Sequence, residues 1–178
     1  MGRVMVYIAT SLDGFIARKD DDISWLDPFT NGSEDYGYPE FMKNVGTAVM
    51  GSRTYEESLR HPDRLLAGVK NYILTTRSLP GAPGIVTEFW NRSLADLVST
   101  IRQESAKDIY LVGGGKVISR FIGEGLVDEI HQFIVPVILD GGIPLYTGIG
   151  REIGLRRLDV IPYPNGVVRV RYSPIILS

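Results

Sequence analysis

The chain has 178 residues, 44% hydrophobic and 22% charged, with a formal net charge of −2. That is the length of one domain with enough chain to bury a core, and the balance lacks the basic stripe of a duplex-binding protein. There is no cysteine and there are only two histidines, His61 and His131, which excludes disulfides and thiolate chemistry and leaves no His cluster for a metal site.

The opening residues, MGRVMVYIATSLDG, lack the layout of a signal peptide and read as a short buried strand running into a polar loop. No apolar run approaches the roughly 20 residues of a membrane helix. The expectation is a cytoplasmic domain spanning residues 1–178, with no membrane or nucleic-acid partner. Val4–Ala9, Thr47–Met50, Asn71–Leu74 and Ile109–Val112 are short and almost wholly apolar, as suits strands buried on both faces of a parallel sheet. Helical patterning falls between them. Pro39–Val45 is a short helix with Phe41, Met42 and Val45 apolar, and Thr54–Leu59 follows a Gly-Ser-Arg turn. Ser93–Gln103 places Leu94, Leu97, Val98 and Ile101 on one face behind Ser93 as N-cap, and Lys116–Glu124 follows three glycines. The alternation predicts βαβ units. The tail differs: Glu129–Leu139 reads as one long extended run, and Leu155–Pro162 and Val167–Tyr172 flank Tyr163-Pro164-Asn165-Gly166, a hairpin signal. The predicted fold is α/β, a mostly parallel sheet finished by an antiparallel hairpin. Asp13–Tyr36 is a long loop of the kind that carries function.

Four segments carry chemistry. In Ala9-Thr10-Ser11-Leu12-Asp13-Gly14-Phe15-Ile16 a strand turns at Asp-Gly into a loop placed to cover a ligand; the plainer reading is an ordinary turn. In Val49-Met50-Gly51-Ser52-Arg53-Thr54 a buried strand passes through glycine into a helix start. Close backbone approach, unpaired amides and the Arg53 fork together make an anion site; the alternative is a capped helix with a solvated arginine. Leu74-Thr75-Thr76-Arg77 ends another strand in hydroxyls and an arginine, groups suited to a ribose 2′-phosphate, or simply to a polar turn. Val112-Gly113-Gly114-Gly115-Lys116-Val117 lets backbone amides approach a pyrophosphate, although it matches neither the dinucleotide fingerprint nor a Walker loop. One extended ligand with several phosphates accounts for three such strand ends.

Taken in order, SLDGFIA, MGSRTYE, LTTRS, VGGGKVISRF and VDEIHQFIVPVILDGGIPLY resemble the dihydrofolate reductase superfamily over roughly residues 3–173. The chain looks closest to the bacterial branch similar to the reductase domain of the riboflavin-biosynthesis deaminase/reductase. The resemblance implies a three-layer fold on an eight-stranded sheet, NADPH across the strand ends, and a homodimer. It implies nicotinamide near Ala9 and Ile16 under the loop with Asp13, Gly14 and Trp25, and phosphates at Gly51, Ser52, Arg53 and Thr54. It sets the 2′-phosphate at Thr75, Thr76 and Arg77 beside Leu74, and the pyrophosphate at Val112, Gly113, Gly114, Gly115, Lys116 and Val117. On the substrate side Trp25, Tyr38 and Phe133 are candidates; Phe133 stands where the folate enzymes have threonine. Asp35 and Glu40 are the candidate proton donors, each also readable as a solvated acid at a helix start.

The expected activity is NADPH-dependent reduction of a small heterocyclic or sugar-derived substrate. Two alternatives stay open. One is reduction of an aminouracil ribose phosphate in riboflavin synthesis, which needs a substrate-phosphate site, with Arg151 and Lys43 as possible contributors and a separate deaminase. The other is NADP binding without turnover. The apolar end Ile175-Ile176-Leu177 adds support for a homodimer, since it is exposed unless packed.

Overall fold

The computed structural model describes residues 1–61, 64 and 66–175. Its strands are β1 (Val4–Ser11), β2 (Phe15–Ala17), β3 (Val45–Gly51), β4 (Lys70–Leu74), β5 (Thr87–Trp90), β6 (Asp108–Gly113), β7 (Glu129–Val135), β8 (Ile143–Pro144), β9 (Gly154–Pro162) and β10 (Val168–Ile175). Its helices are α1 (Asp27–Thr30), α2 (Tyr38–Lys43), α3 (Ser52–Arg60), α4 (Leu94–Glu104) and α5 (Gly115–Gly123), with a 3-10 turn at Ser24–Leu26. An eight-stranded sheet runs β5-β4-β3-β6-β1-β7-β10-β9. The first six of these strands are parallel; β10 runs antiparallel to β7, and β9 antiparallel to β10, as the hairpin. Among the described residues no helix is long and apolar enough to cross a membrane.

The continuous apolar runs follow from burial on both faces. In β1, Val4 and Val6 pack with Leu97, Ile101, Ile118 and Phe121 of α4 and α5. Met5 and Tyr7 pack on the other face with Phe41 of α2 and Tyr110. α4 buries Leu94, Leu97, Val98 and Ile101, and Ser93 caps it by accepting from the Asp96 amide at 3.0 Å, as its spacing predicts.

Four elements depart from the sequence expectation. The 129–139 run is not one strand: β7 ends at Val135, where Pro136 brings no N–H to the ladder. Beyond it, Asp13 accepts from the amides of Leu139 and Asp140 at 3.1 and 2.9 Å and turns the chain. The Asp13–Tyr36 stretch holds β2, the 3-10 turn and α1, because β2 pairs with the distant β8. The helix expected over 39–45 spans Tyr38–Lys43, and Val45 instead opens β3, 3% exposed. β5 escapes pattern reading, being four residues at the sheet edge with Phe89 40% exposed. Ile175 ends β10 and is exposed; Ile176 and Leu177 lie outside the described residues.

Candidate active site

A cleft of about 860 Å³ opens at the carboxyl ends of the parallel strands, lined by Ala9 of β1, Gly51 of β3, Leu74 of β4 and Val112 of β6. That volume lies in the range of small-molecule sites. Strand ends in an open α/β sheet leave a crevice wherever the following helices diverge to opposite faces. Here α3 and α5 begin at the crevice. Their N-caps, Gly51 and Gly114, are extended and carry no side-chain capping bond, so first-turn amides and the positive dipole ends are left to a ligand.

The two helix starts nearly touch. A Cβ on Gly51 would lie 3.0 Å from Val117 Cγ2, and one on Gly114 would lie 3.5 Å from Thr54 Oγ1. Gly115 is constrained more tightly: its Cβ would fall 2.1 Å from the Pro144 carbonyl oxygen and 3.0 Å from that of Leu145. Only glycine lets β8 approach and place Ile143 on the cleft wall.

The cleft brings together Ala9, Ile16, Tyr38, Gly51, Ser52, Arg53, Thr54, Leu74, Val112, Gly114, Gly115, Lys116 and Val117 of the sequence-predicted set. It does not include the others. Asp13 holds the 139–140 turn, and the Ser11 hydroxyl, ahead of those two amides, draws its carboxyl below the usual range. Gly14, at φ +88°, accepts from the Leu145 amide. Gly113, at φ +131°, precedes the helix start through a cis peptide to Gly114. Thr75 accepts from the Arg77 amide, and the Arg77 guanidinium sits on Glu56 at 2.6 and 3.1 Å. Trp25 and Phe133 are 5% and 4% exposed in one apolar cluster with Val135 and Val167. Phe133 backs Tyr7, with ring centroids 4.5 Å apart.

The two carboxylates expected as proton donors also lie off the cleft. Asp35 is exposed and accepts from the Gly37 amide at 2.8 Å. Glu40 is 74% exposed and pairs with Lys43. Arg151 is exposed as well. The acids that do line the cleft are Asp21 and Glu57, which the motifs do not mark. Asp21, at φ +68°, receives Arg53 Nε and a terminal nitrogen at 2.9 and 2.6 Å, and that hydrogen bond raises the arginine's pKa.

One end of the cleft is aromatic. Tyr7, Tyr38 and Tyr110 line it, and the rings of Tyr7 and Tyr38 meet edge to face at 5.4 Å. Burial, the leading cause in each, pushes all three phenols up, so they stay protonated at neutral pH. Tyr110 donates to the Tyr7 carbonyl and Tyr7 to the Tyr36 carbonyl, each at 3.1 Å. The Tyr38 hydroxyl has no partner among the described residues and is left to a ligand. Sequence reasoning missed Tyr7 and Tyr110, although a signal existed: on a strand, residues two apart share a face, so Ala9 points to Tyr7 and Val112 to Tyr110.

A mostly parallel sheet of this strand order, closed by an antiparallel hairpin and with a cleft at its strand ends, is a dihydrofolate-reductase-like fold. The chain belongs to the RibD C-terminal domain family, whose model matches residues 3–169. It is 33% identical over 159 residues to the uncharacterized protein YwjB of Bacillus subtilis (strain 168), covering 86% of this chain and 88% of that one. A putative riboflavin biosynthesis protein from Shewanella sp. PV-4 superposes with a TM-score of 0.86 at 24% identity, covering 97% and 99% of the two chains. Dihydrofolate reductase from Enterococcus faecalis, complexed with NADP(H), superposes with a TM-score of 0.66 at 15% identity over 97% and 96%.

Proposed function

We propose that this chain is an NADPH-dependent reductase of a small heterocyclic or sugar-derived substrate. The observation that carries the reading is the meeting of two uncapped helix starts, α3 and α5, above an apolar floor of strand ends. The donor set fits a dinucleotide phosphate: backbone amides, Ser52, Thr54, Arg53 and Lys116, with glycines where a side chain would close the gap. NADPH, when bound, supplies hydride. The chain's own part is to hold the phosphates at Gly51–Thr54 and Gly114–Val117. Ala9 and Ile16 flank the reacting ring and exclude water. In this reading Thr75, Thr76 and Arg77 meet the 2′-phosphate, Arg77 exchanging Glu56 for it.

Tyr38 is assigned the substrate's polar atom, because its hydroxyl is protonated and lacks a partner among the described residues on the cleft wall. It donates a hydrogen bond to the substrate heteroatom, and the proton that the hydride reduction consumes comes from solvent water. The off-cleft positions of Asp35 and Glu40 favour one rival, nucleotide binding without turnover; NADPH oxidation over a panel of cyclic imines and aldoses separates the two. The narrower role in riboflavin synthesis needs a phosphate site that neither Arg151, exposed, nor Lys43, paired with Glu40, supplies.

The deciding measurement is a nicotinamide-fluorescence titration. NADPH is expected to bind at least about tenfold tighter than NADH, a gap of about 1.4 kcal/mol. Well-folded protein that binds neither sinks the reading.

Self-association into a homodimer belongs to the same reading. The edge strand β9 exposes Leu155, Leu158, Val160 and Ile161, a template for a further strand. Antiparallel pairing of two β9 edges about Leu158 sets Arg157 of one copy against Asp159 of the other. Light scattering should give a dimer mass for the native chain and a monomer mass for Val160→Lys; a native monomer refutes the pairing.

A further inference from the structure

On the sheet face that carries α2, strand register sets Tyr7 beside His131, His131 beside Arg171, and Arg171 beside Asp159. Phe133 sits beside Arg169 in the same way. Of these, Tyr7, His131, Arg169 and Arg171 line a second pocket of about 270 Å³ together with Arg3, Glu129 and Asp108, and Tyr7 is the wall it shares with the cleft.

The carboxylates of this pocket are occupied. Glu129 takes Arg3 at 2.9 Å and His131 Nε2 at 2.7 Å, and Arg171 Nε lies 3.4 Å from it without hydrogen-bonding. Asp108 takes the Arg3 amide at 2.8 Å and its guanidinium at 3.2 Å, and Glu40 faces Lys43. Asp159 lies 3.0 Å from Arg171 Nε, close but too poorly aligned to hydrogen-bond.

Arg169 is left out. Its side chain is 14% exposed, and its one contact is a terminal nitrogen 3.5 Å from Asp159. Its Nε is buried with no partner among the described residues. The guanidinium reaches the pocket, with NH1 3.8 Å from where a Gly37 Cβ would stand. Buried charges are normally paired and hydrogen-bonded. A planar donor fork with one long contact and a buried Nε left unpartnered among the described residues, at the wall of a pocket large enough for a small molecule, marks the place of a further acceptor.

We propose that this pocket is a site for a small oxyanion, a carboxylate or phosphate, held by the Arg169 guanidinium. Two sources share that chemistry: a free anion, and an anionic group of the substrate that reaches past Tyr7. The second source rests on the reductase reading; the site itself does not.

The test uses the two histidines of the chain. Inorganic phosphate and malonate are titrated at constant ionic strength, with imidazole resonances followed by NMR. His131 lines the pocket, and His61, beyond the end of α3, is the internal control. Saturable shifts of His131 alone are expected, at least about tenfold weaker in Arg169→Gln and tighter in Asp159→Asn, which removes the competing carboxylate and adds no buried charge. A His131 signal unmoved by either anion overturns the proposal, as does an identical response in both variants. Kinetics with NADPH then separates the sources. A lower KM for a phosphorylated carbonyl substrate than for its unphosphorylated analogue, lost in Arg169→Gln, assigns the anion to the substrate. Equal KM values, with the His131 titration intact, assign it to a free anion. If no NADPH binds at all the reductase reading fails, and the His131 titration still decides the site.

Discussion

At the scale of single residues, the cleft's charge is held in reserve. Arg53 lines the cleft, yet its fork is occupied by Asp21 from the preceding loop. A phosphate entering the cleft competes with that carboxylate for the same donors. Asp21→Asn is therefore expected to tighten NADPH binding, and Arg53→Gln to weaken it by roughly tenfold, about 1.4 kcal/mol, both read by fluorescence titration. Opposite or absent effects remove Arg53 from the phosphate site. Gly115 is a different kind of residue, required for space. Its missing side chain admits the Pro144 carbonyl, so Gly115→Ala overpacks backbone against backbone. A loss of about 1–3 kcal/mol is expected in urea unfolding, and a smaller effect shows that β8 moves aside freely.

At the scale of elements, what reads from sequence is what rests on local chemistry. α4 has an N-cap, a helical stripe and no competing contact, and its expected and observed spans agree within a residue or so. Ser93→Ala should cost about 1 kcal/mol of stability and leave nucleotide affinity unchanged, since Ser93 does not line the cleft; a change in affinity contradicts that separation. β5 and the break after Val135 were not legible in the same way. β5 exists only because β4 offers it a ladder. The Leu139 turn exists because Asp13, 126 positions away, supplies the acceptor.

At the scale of the whole molecule, pH acts through the buried network behind the cleft. Burial, opposed by Glu129, leaves the His131 pKa below its ordinary value of 6.5. The unfolded chain then binds more protons than the folded one below that value. Stability is full above about pH 6.5 and declines as pH falls toward the folded-state pKa. Urea midpoints should drop between about pH 7 and pH 5, and His131→Gln should flatten that limb. The exposed carboxyls of Asp13, Asp22 and Glu56, drawn down by hydrogen-bond donors, contribute the same sign in a lower, separate window. An unchanged slope in the variant assigns the pH dependence to other groups.

The alternation of strands and helices, the closing hairpin and the glycines at the ends of β3 and β6 are legible in the chain itself. Each is written in short-range pattern: apolar runs, caps, and glycines before helix starts. Tertiary structure alone decided which side chains meet there. Tyr7 and Tyr110 share a wall because β1 and β6 pair in one register, Asp13 and Trp25 became structural supports, and Arg169 was left without a full set of partners. Such contacts depend on residues far apart in the chain, and periodicity, which reports only which face a residue takes, carries no information about what lies opposite.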